Sequence, residues 1–425
     1  MLNFILLFVI GTGFLIFLKW RFKLNFLNPI FFISAYWILY ILFSALFSIV
    51  FNFTLYWDGV FPISIMLFSF ICGSFLYIKL CSFLIQRKKI NYPQTDNNIL
   101  FSSKKIKWII IIFSGLGLTA IIWQLLYLNI QIESFQDLLK TANKISYIRY
   151  EGGTDMPKPG LILMSFLYSS AFFSAIYYRI SRGIFNRIIS LLPFLIILII
   201  TITNGVKTGF LYVLIIWISG SISFYLFDKK QKSISIKKTG IQILFAILII
   251  LLLIPATQAL RGHNKNSSAR SLSYFCSFNA FTIWYHTNTN KEITPFKYTL
   301  SGIHNIFYNE REVGLYGDEN VEVGKYKNIV VNTNVYTMAR GLIQDFSLIG
   351  AVVLLFISGF ISQHLYSFTK YKNIVCMCLL SLFYSIILWS FTVNMINYNT
   401  IILSWVISII FIFFATSKNT AHIKG

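Results

Sequence analysis

Seven side chains carry most of the chemistry that this sequence can offer. Arg149, Lys207, Arg261, Arg270 and Arg340 are cations, and His304 and Asp345 are groups able to take or hold a proton. A guanidinium presents a planar fork of donors that matches the oxygens of a phosphate or pyrophosphate, and an ammonium adds a point charge. Arg311 is a further cation of the same region, His263 and His286 are further histidines, and Glu151, Glu310 and Glu312 are carboxylate alternatives. Cations beside one base suit transfer from a donor whose leaving group is already an anion, because the cations hold the departing charge while the base takes the proton of the attacking hydroxyl. The chain has no Asp-x-Asp, no Walker-type glycine loop, no Ser/His/Asp signature and no zinc-ligand spacing. Metal- and nucleotide-dependent reactions lose support accordingly, and no cofactor is expected.

The elements that must position these groups are set by composition. Of 425 residues, 56% are hydrophobic and 12% charged, against the roughly 25% charged residues of a soluble domain. The bilayer is therefore the expected solvent. Apolar runs long enough to cross it lie at 2–18, 28–50, 60–84, 108–130, 160–178, 188–204, 209–227, 241–259, 342–367, 374–393 and 400–416. This predicts an all-α, polytopic membrane protein of about 11 transmembrane helices, organised as a single membrane domain.

A net charge of +22 would point to nucleic acid in a soluble protein. Here Lys and Arg gather in alternate connections: Lys19, Arg21 and Lys23 follow the first run, Lys104, Lys105 and Lys107 precede the fourth, and Lys229 and Lys230 follow the seventh. The positive-inside rule then places the N-terminus outside and the C-terminus inside, and nucleic acid drops out as a partner. Lys19, Arg21 and Lys23 follow the first apolar run instead of preceding it, the wrong polarity for a cleaved signal, so that run is expected to stay.

Most acidic residues fall on the outer side, where three polar segments gather. Residues 133–159 read as a short amphipathic helix followed by Gly152-Gly153 and a proline-containing connector. Thr203–Lys207 is a tight turn. Residues 260–335 form the large outer loop, with helices predicted over 271–287 and over 296–312 after Pro295, and a polar, glycine-containing stretch over 313–334. On the second of these helices Phe296, Leu300, Ile303 and Phe307 make an apolar stripe and His304, Tyr308 and Arg311 a polar one. Arg261 closes the eighth run, Arg340 opens the ninth, and Asp345 lies about one turn inside it, where an ionisable group is costly and marks a functional site. Arg340 and Asp345 are about 140° apart around a helix, so Asp345 needs another partner, with Lys207 or a loop arginine the natural choice. Of the histidines, His263 and His304 stand best for a general base, with His286 third. Four of the five cysteines lie in or near apolar runs and only Cys276 lies in an outer loop, so no disulfide framework is expected.

Asn332-Thr333-Asn334-Val335-Tyr336-Thr337, followed by Asp345-Phe346-Ser347-Leu348-Ile349-Gly350, resembles the Asn-x-Tyr-Thr and Asp-Phe-Gly-x-x-Gly stretch of the Wzy-type O-antigen polymerases, with Ser347 where that stretch commonly has glycine. The layout of spans, the large outer loop before the last few of them and the Arg261-Gly262 pair are similar to that family too. The resemblance implies a GT-C-like architecture in the bacterial inner membrane, N-terminus periplasmic and C-terminus cytoplasmic. It also implies metal-independent transfer of a glycan from undecaprenyl pyrophosphate to a hydroxyl of another lipid-linked oligosaccharide repeat unit, with membrane lipid and a chain-length regulator as partners. On that basis Arg149, Lys207, Arg261, Arg270 and Arg340 surround the pyrophosphate, and His304 or Asp345 serves as the base. An O-antigen ligase, differing in its acceptor, and an oligosaccharide flippase are the rival readings.

Overall fold

The computed structural model describes residues 2–88, 100–131, 133–150, 156–228, 272–287, 293–308 and 320–417. In chain order the elements are α1 (Leu2–Phe22), α2 (Pro29–Phe51), a 3-10 turn (Trp57–Gly59), α3 (Val60–Lys88), β1 (Leu100–Phe101), α4 (Ser103–Tyr127), α5 (Phe135–Tyr150), α6 (Lys158–Ile180), α7 (Ile184–Ser190), α8 (Leu192–Asn204) and α9 (Thr208–Phe227). They continue with α10 (Ser277–Thr287), α11 (Ser301–Tyr308), β2 (Val321–Tyr326), β3 (Ile329–Thr333), α12 (Met338–Lys370), α13 (Ile374–Trp389), a second 3-10 turn (Met395–Asn397), α14 (Asn399–Ala415) and β4 (Thr416–Ser417).

Apolar runs fold as helices because lipid offers no partner to a backbone N–H or C=O, and only a helix pairs them all within one segment. Among the described residues seven helices are long and apolar enough to cross a membrane, and α7 with α8 adds a pair bent by 42°. α13 and α14 are apolar but shorter. Every apolar run within the described residues coincides with one of these helices, while the run at 241–259 lies outside the described residues. The protein is a helical, polytopic, membrane-embedded chain.

The polar, glycine-containing stretch before α12 carries β2 and β3 as an antiparallel hairpin within a mostly helical fold, and two local expectations need correction. Lys327 and Asn328 both have positive φ, the requirement of the two-residue turn whose twist matches its strands. The helix expected over 296–312 does not start after Pro295: residues 295–300 are turns and a bend, Phe296 at φ 65° cannot join a helix, and α11 begins at Ser301, while 309–312 lie outside the described residues. Consequently Phe296 leaves the apolar stripe and packs edge-on against Phe346 instead. The helix expected over 271–287 begins at Ser277, after turns closed by the Leu272 and Ser273 carbonyls.

By internal contacts the chain divides into two compact units. One comprises Met1–Gln94, Ala269–Phe368 and Ile386–Tyr398, the other Thr95–Ser268, Thr369–Ser385 and Asn399–Gly425. Because each is assembled from three separated segments, no shift in composition along the chain marks the division.

In the first unit α3 and α12 cross with their backbones nearly touching. A Cβ on Gly73 would stand 1.9 Å from the Phe356 carbonyl oxygen, and one on Gly359 would stand 2.0 Å from that of Phe70. Ser69 Oγ donates to the Val352 carbonyl at 2.7 Å and Ser74 Oγ to that of Gly359 at 2.9 Å. Small residues and hydroxyls are what hold helices together in lipid, where apolar side chains gain nothing by leaving the solvent. In the second unit α6 is the most enclosed of the candidate spans. It meets α4 at Gly117, whose added Cβ would lie 2.7 Å from Leu167 Cβ, and α9 at Gly220. Ser169 Oγ of α6 donates to the Ser404 carbonyl of α14 at 2.6 Å.

Candidate functional site

α12 is two helices joined at Ser347, whose φ of 62° and ψ of 174° are non-helical. The break leaves Met338–Phe346, with Asp345 on it, as a short helix ahead of the long apolar one. The Met338 amide is held by the Ser390 carbonyl, which fixes where this short helix starts.

Arg340 lies on the short helix and is 1% exposed. Its Nε donates to Gln344 Oε1 at 3.0 Å, one turn along. The guanidinium carbon stands 4.0 Å from the centre of the Tyr336 ring and 5.1 Å from that of Trp284. Tyr336 comes from the segment between the hairpin and α12, and Trp284 from α10. A cation over aromatic faces is stabilised by the ring quadrupoles while its donor edges stay directed. An apolar crevice between α2, α3 and this helix runs beside it, lined by Trp37, Met66, Met338, Ala339, Leu342 and Leu355.

Asp345 is fully buried, and the loop arginines Arg261, Arg270 and Arg311 expected as partners lie outside the described residues. The Asp345 carboxylate accepts from the Tyr298 amide at 3.1 Å, the Thr299 amide at 2.7 Å, the Thr299 hydroxyl at 2.6 Å and the Thr294 hydroxyl at 3.3 Å. The Thr294 amide donates in turn to the Gln344 carbonyl at 3.1 Å. From the opposite side Asn394 and Asn397 donate their side-chain amides to the Thr299 and Tyr298 carbonyls, at 3.1 and 2.8 Å. The turn at 294–300 is thereby clamped between the short helix and the 394–397 loop, and α11 with His304 follows directly from it.

A second group lies on α10, two residues beyond Trp284. His286 Nδ1 meets Asp58 Oδ2 at 2.7 Å, and the imidazole is stacked on the Tyr56 ring at 4.0 Å with 8° between planes. Both side chains are 48% exposed. The other Asp58 oxygen accepts the Gly59 amide at 2.9 Å. Sequence reasoning placed His286 third among the histidines and did not single out Asp58, since an acid just before a span reads as a helix start. Cys276, at the base of α10, is buried, and that burial pushes its thiol up to about 12.

The remaining cations are placed as follows. Lys207 precedes α9 in the tight turn that Gly205 makes with φ 61°, and Arg149 is in the last turn of α5; both belong to the second unit. Arg261, Arg270, Arg311 and His263 lie outside the described residues, as do Glu151, Glu310 and Glu312. Among the described residues no group of three or more His, Cys, Asp or Glu is arranged to hold a metal ion.

No family model, no curated protein and no solved structure matches the chain.

Proposed function

We propose that the protein polymerises lipid-linked oligosaccharide repeat units. It would transfer the growing glycan from undecaprenyl pyrophosphate to a hydroxyl of another lipid-linked unit, at the periplasmic face of the bacterial inner membrane. In this reading the fold is GT-C-like, the N-terminus is periplasmic and the C-terminus cytoplasmic.

One observation carries the reading: the stretch 332–350, on which the resemblance to the Wzy-type polymerases rests, is also the stretch that builds the arginine site. Tyr336 supplies a face to Arg340, Gln344 fixes its Nε, Asp345 clamps the neighbouring turn, and Ser347 breaks the helix between that site and the long apolar segment. The segments that charge bias assigns to one side also meet one another, since the Thr54 amide after α2 donates to the Val323 carbonyl of the hairpin at 2.8 Å and Asn279 of α10 donates to the Thr54 carbonyl at 2.8 Å. Pyrophosphate is a good leaving group once its charge is held, so a directed guanidinium and a base suffice without a metal.

The test is the lipopolysaccharide ladder of a deletion strain complemented with wild type, Arg340→Lys or Arg340→Ala. Polymerase activity predicts single repeats on lipid A-core in the deletion strain, the full ladder with wild type, and single repeats again with either variant. Loss of even the single repeat would identify a ligase instead, and a normal ladder in the deletion strain would end both readings.

A further inference from the structure

The geometry points to His286 as the general base of this reaction, held and oriented by Asp58; the inference rests on the proposed polymerase reading. With Nδ1–H donated to Asp58 Oδ2, the lone pair of the neutral ring is on Nε2, the tautomer a base requires. The carboxylate is itself fixed, because its second oxygen takes the Gly59 amide. Tyr56 lies flat against the imidazole and blocks rotation about the ring's long axis.

The scaffold under this pair is close-packed. A Cβ on Gly59 would stand 2.7 Å from Thr282 Cγ2 and 2.9 Å from Thr282 Cα, so only glycine lets the 3-10 turn lie on α10. The Tyr56 amide donates to Thr282 Oγ1 at 3.3 Å, tying the same two segments. α10 also carries Trp284 against Arg340, two residues from His286 and so about 200° around the helix from it. His286 is half exposed and open to a sugar hydroxyl, whereas the Asp345 carboxylate is wholly buried and taken up by amide and hydroxyl donors.

In the step itself the acceptor hydroxyl gives its proton to His286 Nε2 as its oxygen forms a bond to the anomeric carbon of the donor glycan. The bond from that carbon to the phosphate oxygen breaks, and the electron pair leaves with undecaprenyl pyrophosphate. The imidazolium then returns its proton to solvent, so no oxidant, reductant or metal enters the balance.

The experiment uses the full-length protein in liposomes with an undecaprenyl-pyrophosphate-linked repeat unit as both donor and acceptor. His286→Ala is expected to lower kcat by about 100-fold or more with little change in KM, and added imidazole to restore part of the rate. Asp58→Asn should lower kcat in the same direction by a smaller factor. His286→Gln, whose amide can still donate to Asp58, keeps the test valid if the alanine variant folds poorly; it should assemble normally and stay inactive. Full kcat in His286→Gln, in a preparation where Arg340→Lys is impaired, overturns the assignment and leaves the polymerase reading standing. Absence of polymer from the wild-type protein removes both.

Discussion

The Asp345 carboxylate takes both the amide and the hydroxyl of Thr299, 46 residues earlier in the chain, at 2.7 and 2.6 Å. With the Tyr298 amide and the Thr294 hydroxyl also directed at it, this carboxylate acts as a clamp on a turn. Asp345→Asn places an NH2 where an acceptor is needed, and although the threonine hydroxyls can turn, the Tyr298 and Thr299 amides cannot. It should cost about 1–3 kcal/mol, read as a lowered unfolding midpoint in detergent. A catalytic role without a structural one would instead leave the midpoint unchanged while abolishing polymer.

Arg340 has two separable duties, holding Tyr336 and Trp284 together and presenting a fork of donors. Lysine keeps the charge over the rings but loses the fork, so Arg340→Lys should reach the membrane in normal amount and lose most of its polymer. Arg340→Ala should in addition lose about 1–2 kcal/mol from the aromatic contacts. Comparing quantity of folded protein with ladder length in the two variants separates the duties; a full ladder with lysine would show that the fork is not used.

The crossing of α3 and α12 tests the packing independently of function. Gly73→Ala or Gly359→Ala would press a methyl against a backbone carbonyl, at 1.9 or 2.0 Å, and neither helix can yield without moving away. Each change should destabilise by at least about 1–3 kcal/mol, with Gly13→Ala, which meets nothing within 4 Å, as the neutral control. Thermal unfolding of purified variants gives the comparison.

How much of this could be read beforehand depends on the range of the interactions. The spans were legible because hydrophobicity over twenty residues is a local property. Arg340 and Asp345 were legible as ionisable groups beside an apolar run. The partner of Asp345 was not, because its donors are mostly backbone amides and hydroxyls far away in the sequence, and no spacing encodes them. The hairpin left a weak signal in Val321, Val323, Ile329, Val330 and Val331, but its turn is Lys327-Asn328 and not the Asn-Gly that announces such turns. Asp58 was silent for the same reason as Thr299: its meaning comes from His286, which the chain brings back only by folding.

At the start of α5 the Ser134 hydroxyl donates to Asp137 at 2.7 Å, and the Asp137 amide returns a bond to that hydroxyl at 3.2 Å, a reciprocal cap. The Ser134 hydroxyl holds the Asp137 carboxyl below its ordinary value of 3.8. A folded value below the unfolded one means the contribution is complete above the unfolded value and is lost as pH falls through the folded one. Hydrogen-exchange protection at the start of α5 should therefore fall in acid, and Asp137→Asn should make it independent of pH; identical acid loss in that variant would assign the effect elsewhere.

Ser347 supplies the last test, because its two features pull in opposite directions. Its backbone stands at φ 62° and ψ 174°, a region that glycine enters freely and other residues enter at a cost of about 1–3 kcal/mol. Its hydroxyl accepts the Gly350 amide at 3.4 Å, capping the long helix that follows. Ser347→Gly gives up the cap and relieves the backbone, so stability should hold or rise by about 1 kcal/mol. Ser347→Ala gives up the cap and keeps the strain, so it should lose about 1 kcal/mol, and a β-branched residue should lose more. The order Gly, Ser, Ala in unfolding midpoint is what a broken helix requires. If alanine proved the most stable of the three, α12 would have to be continuous through this position, and the separation of the arginine site from the long helix would go with it.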